Sequence, residues 1–142
     1  MSISRRQVSK RRKEHQAGQS MIEGALVMLA FFGITMGVMD FGRMVWSYAA
    51  VSNGAREATR YAIVHGSGSG NTATVSQIQG IVTGKAVGLA PANTTTTVTF
   101  SPDQSAGSTV TVAVSYSFYP IAPFVPIGPI TLKSTSKRVI YQ

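Results

Sequence analysis

One stretch long enough to cross a membrane governs what this chain can fold into. Residues 19–39 carry a single ionisable side chain, Glu23, and residues 24–39 carry none. As a helix rising 1.5 Å per residue, residues 19–39 reach about 31 Å, against a hydrocarbon core of about 30 Å. Asp40 and Arg43 follow, at the i,i+3 spacing that lets them pair on one helix face, and mark the expected far edge of the span. The rest of a 142-residue chain is too small to wrap such a helix on all sides. A retained anchor is therefore expected, rather than the core helix of a soluble protein. An ordinary secretory signal fits poorly, because its apolar part is shorter and no A-x-A-like site follows Met39.

Charge sets the expected direction. Residues 1–18 hold Arg5, Arg6, Lys10, Arg11, Arg12 and Lys13 against Glu14, so more than half of the net charge of +8 lies ahead of the apolar stretch. Basic flanks stay on the cytoplasmic side, which gives an N-in, C-out single pass. Neither interleaved aromatics nor a nucleic-acid-binding motif accompanies the basic cluster, so nucleic acid is not an expected partner. The absence of cysteine excludes disulfides and thiolate metal sites.

Glu23 is the anomaly. A lone acid near the bilayer centre costs about 2.5–3.5 kcal/mol, and less near the interface. A cut after Gly18 would change its surroundings. Gln19 would become an amino terminus one helical turn away, and amine and carboxylate could then neutralise each other within a chain or between neighbours. The field at a helix N-terminus also favours an acid there.

Beyond the span the helical pattern continues to Val64. Gly33 and Gly37 form a small-xxx-small pair that permits close helix approach in lipid. Ala50, Gly54, Ala58 and Ala62 extend a smooth stripe at i,i+4 spacing. Two uses stand side by side, packing on the chain's own distal part and packing on other long helices. Glu57 and Arg60 are a second possible i,i+3 ion pair, and Gly42 and Gly54 are possible kinks.

The motif Gly18-Gln19-Ser20-Met21-Ile22-Glu23, set between a basic leader and an apolar helix, resembles a class III prepilin signal. Ala25-Leu26, Asp40-Phe41-Gly42-Arg43 and the tract from Asn53 through Ala55-Arg56-Glu57 to Tyr61 resemble the TadE-like family. These are minor pilins or pseudopilins of the tight-adherence (Tad/Flp) branch of type IV pilus systems. The resemblance covers residues 16–64, and Gly24 stands where such proteins often have a bulkier residue. It implies cleavage between Gly18 and Gln19 by a prepilin peptidase, and subunit docking through Glu23. It also implies partnership with other pilins and with the inner-membrane assembly platform. The alternative is an uncleaved, signal-anchored protein presenting an extracytoplasmic binding module.

The distal half is expected to be a small α+β module. The tract from His65 to Gly70 has the composition of a flexible linker. Val75, Ile78, Val82, Ala86 and Leu89 recur at helical spacing, with Asn71-Thr72 or Thr74 near the start and Pro91 beyond the end. Gly80, Gly84 and Gly88 form a second small stripe, suited to a crossing with a second helix or a sheet. Residues 94–100 and 110–118 alternate as half-buried strands, and a last strand is expected from Ile130 through Tyr141. Between them, Phe124, Val125 and Ile127 sit in a proline-punctuated loop. The organisation expected is leader 1–18, span 19–40, helical continuation 41–64, linker 65–71 and module 72–142. His15 and His65 stand apart from the acids, and no carboxylate pair or metal cluster is visible. Neither catalysis, a cofactor nor a small-molecule substrate is expected.

Overall fold

The computed structural model describes residues 4–122 and 128–141, with side chains from residue 18 onward. The order is α1 (Ser4–Val64), α2 (Val75–Lys85), a 3-10 turn (Pro91–Asn93), β1 (Thr94–Ser101), β2 (Thr109–Phe118) and β3 (Ile130–Val139). The chain divides into two compact units, residues 1–39 and 40–142. The helical continuation thus groups with the distal module, and the α+β expectation holds.

In the second unit the three strands form an antiparallel meander, β1-β2-β3. Threonine and valine dominate β1 and β2, and β-branched side chains suit a pleated, half-buried surface. Register pairs Val98 with Val112 and Phe100 with Val110 on one side of the ladder, and Phe118 with Ile130 on the other. That face carries Val110, Val112 and Val114 into the core. The opposite face is hydroxyl-rich, with Thr97, Thr99, Thr111 and Thr135. One buried face and one solvated face explain the clean alternation along β2.

The helical layer supplies the rest of the core. Val51, Ala55, Ala58 and Ala62 follow one face of α1 and join Ile78 and Val82 of α2. Small residues let the two helices approach. A Cβ built on Gly54 would lie 3.4 Å from the Val82 carbonyl oxygen and 3.7 Å from the Ala86 Cβ. Thr59 hydrogen-bonds within its helix to the Ala55 carbonyl at 2.7 Å, which satisfies a buried hydroxyl.

Several details depart from the sequence expectations. Helical hydrogen bonding runs through Gly42 and Gly54 without a break, since the helical cost of a single glycine is modest. The helix α2 starts at a capping box, in which Thr74 and Gln77 satisfy each other's backbone N–H groups, but it ends at Lys85. Ala86 and Leu89 stay buried beyond its end. A Cβ built on Gly80 or Gly84 would meet nothing within 4 Å, so their stripe is not the helix crossing. Gly88, at φ +81°, turns the chain instead beneath the Trp46 ring. The glycine-serine tract is fixed at several points rather than loose. Ser67 N–H donates to the Gln104 carbonyl and Ala73 N–H to the His65 carbonyl. Phe124, Val125 and Ile127 lie outside the described residues.

Candidate functional site

The motif residues of the first unit are free of the chain's own packing. Gly18, Glu23, and every residue between them are exposed. Nothing lies within 4 Å of a Cβ built on Gly18, Gly33 or Gly37. No residue of 18–39 is buried, although the side chains include Leu26, Phe31, Phe32 and Ile34. The helix is long and apolar enough to cross a membrane, consistent with a single-pass membrane protein. Its apolar surface is left for lipid or for other helices.

The second stripe is used differently. Gly54, Ala58 and Ala62 are buried in the core of the second unit, and Ala50 packs against that core. Of the two uses open in the sequence, packing on the chain's own module accounts for these four residues in the single chain. Gly33 and Gly37 have no such contact.

Asp40 and Arg43 do pair, with Arg43 Nη1 2.8 Å from Asp40 Oδ1. The other carboxylate oxygen accepts the backbone N–H groups of Ile121 and Ala122 at 2.8 and 2.7 Å. The Arg43 guanidinium also lies over the Phe118 ring, 5.3 Å from its centroid. Asp40 therefore ties the start of the second unit's helix to the chain leaving β2. Nothing local in the sequence announces a contact between groups 81 and 82 positions apart. Glu57 and Arg60 form no ion pair among the described residues.

A third polar cluster closes the turn between β1 and β2. Asp103 accepts hydrogen bonds from the Ser105 hydroxyl, the Ser108 hydroxyl at 2.6 Å and the Ser105 amide at 2.9 Å. These bonds, the Ser105 hydroxyl foremost, hold its carboxyl down at about 2. The cluster shapes an Asx turn, completed by Gly107 at φ +88°.

Three shallow hollows have volumes of about 220, 290 and 330 Å³. The largest gathers Glu57, Arg60, His65 and Lys85, with His65 stacked on Tyr61. Among the described residues no three acids or histidines could share a metal ion.

The architecture is that of an apolar helix of membrane-spanning length carrying a small α+β module. Residues 18–60 match the family model described as TadE-like protein, the family that the motif at Gly18–Glu23 and the tract around Arg56 resemble. The match begins at Gly18 and ends within the part of α1 that is packed in the module. No curated protein and no solved structure matches the chain.

Proposed function

We propose that the protein is a minor pilin-like structural and assembly component of a Tad/Flp-type pilus. The observation that carries this reading is the TadE-like match over residues 18–60. It spans the proposed cleavage glycine, Glu23, the apolar helix and the tract around Arg56. In this reading the chain sits N-in, C-out in the inner membrane. A prepilin peptidase cuts between Gly18 and Gln19 on the cytoplasmic side. The new amine and Glu23 then guide docking among pilin helices on the assembly platform, and Gly33 and Gly37 allow close approach. The role is structural, not enzymatic. The bare surface of residues 18–39 supports it, since an apolar helix without partners of its own chain is suited to exchanging lipid for neighbouring helices.

Mass spectrometry of the amino terminus of protein extracted from its host's membranes tests this directly. A chain beginning at Gln19 is the expected result. A chain that retains residues 2–18 would reject processing and favour the uncleaved signal anchor with an extracytoplasmic binding module.

A further inference from the structure

The charge pattern sets the far edge of the span at Asp40, but the structure weakens the reason for stopping there. Asp40 holds Arg43 and two backbone N–H groups, so its carboxylate has the partners that make a charge tolerable at a membrane interface. After Arg43 the next ionisable residue on the helix is Arg56, apart from the phenol of Tyr48. Within that uncharged reach Val45, Trp46 and Tyr48 are exposed, Trp46 by 52% and Tyr48 by 51%, as is Phe41 just before it. The chain leaving β2 adds Tyr119 and Ile121, exposed by 54% and 64%, next to the amides that Asp40 holds. Large apolar side chains thus collect around the Asp40–Arg43 pair on two elements of the same unit. They continue along the sequence from the bare apolar helix.

We propose that the far edge of the bilayer lies at Trp46 and Tyr48 rather than at Asp40. The rim formed by Phe41, Val45, Tyr119 and Ile121 then lies just inside that edge, against lipid. Trp and Tyr favour the headgroup layer, where an apolar ring body and a polar tip are both accommodated. Lipid is the occupant because the helical part of this rim follows directly in sequence on a helix long and apolar enough to cross a membrane. The length agrees. From Gly24 to Trp46 there are about 23 residues, inside the range of about 17–25 for a spanning helix. The shift moves Glu23 to the near interface, where its charge is far less costly. It brings the Asp40–Arg43 pair about 5–9 Å inside the far edge, where their mutual pairing and the Ile121 and Ala122 amides offset the cost. The inference requires only that the helix crosses a bilayer, and it stands or falls independently of leader cleavage and of any pilus.

Trp46 is the one tryptophan, so the full-length protein reports its own depth. The protein is reconstituted in phosphatidylcholine vesicles containing lipids brominated at shallow or deep acyl positions, and recovered by flotation. The expected result is a larger loss of Trp46 emission from shallow than from deep bromines, with little loss to aqueous acrylamide. A W46F/Y119W variant should behave in the same way. Emission quenched by acrylamide and untouched by bromolipid, in either protein, overturns the proposal, as does failure to float with the vesicles. Protection from both quenchers that disappears when the protein is diluted in lipid also overturns it, because the cover is then a second copy.

Discussion

Two carboxylates of the second unit do structural work, and each joins pieces of chain that would otherwise be separate. Asp40 reaches from α1 to the amides of Ile121 and Ala122. Asp103 gathers Ser105 and Ser108 within one turn. The sequence shows Asp103 as a turn residue, because Ser-Pro-Asp followed by Gly107 is turn composition. It does not show the hydroxyl bonds that lower its pKa. Those bonds give a pH dependence with a definite sign. The folded carboxyl sits at about 2, below its ordinary value of 3.8, so the folded state favours the ionised form. Its stabilisation is complete above about pH 4 and is lost as the pH falls toward 2. An Asp103→Ala variant in detergent should therefore melt below the wild type at neutral pH, and the two melting temperatures should converge near pH 2. A difference that persists unchanged at pH 2 would assign the effect to turn geometry rather than to the charge.

At the scale of elements, local chemistry was readable and long-range closure was not. The alternation of valines with polar residues marks β2 in the sequence, which offers Asn71-Thr72 or Thr74 for the start of α2; the reciprocal bonds of Thr74 and Gln77 decide between them. The end of α2 was misjudged because Ala86 and Leu89 remain in the apolar pattern after the helix stops. Periodicity records burial, and a turn can bury residues as well as a helix does. The linker misled for a related reason. Glycine and serine permit flexibility, but Ser67 is held by Gln104, a partner that composition does not reveal. The small-residue stripe could be seen but not allocated, since a smooth helix face suits any close neighbour. Its place in the fold gives Gly54 a graded response. Gly54→Ala adds a Cβ at 3.4 Å from the Val82 carbonyl oxygen, a tight contact offset by up to about 1 kcal/mol of helix propensity. It should change stability by less than about 1 kcal/mol. Gly54→Leu must displace α2 and should cost about 1–3 kcal/mol or more. Thermal or denaturant unfolding followed by the signal of the β-rich unit measures both. Equal stability of the leucine variant and the wild type would mean that α2 does not lie against this face.

The molecule as a whole divides its apolar residues between two fates. Every buried hydrophobic side chain among the described residues lies at Val51 or later, while residues 18–39 bury none. A module that closes its own core leaves the preceding helix dependent on lipid or on other chains. In the proposed reading, transfer from lipid to a helix assembly is the function, and Gly18 and Glu23 act in sequence. Gly18 governs whether the amine of Gln19 exists, and Glu23 is the group that this amine neutralises. Two substitutions should then be unequal in processing and non-additive in assembly. Glu23→Ala should mature at Gln19 as the wild type does but enter pilin complexes poorly. Gly18→Leu should remain uncut and also fail to assemble, since no amine is released. The double variant should assemble no worse than Gly18→Leu alone, because without the amine the carboxylate has already lost its partner. Amino-terminal mass spectrometry reads the first property, and cross-linking to co-expressed pilins reads the second. If the double variant is clearly worse than Gly18→Leu, Glu23 contacts something other than the new amine. If Glu23→Ala assembles normally, the acid has no docking role, and interfacial placement of the helix is left to explain why it is there.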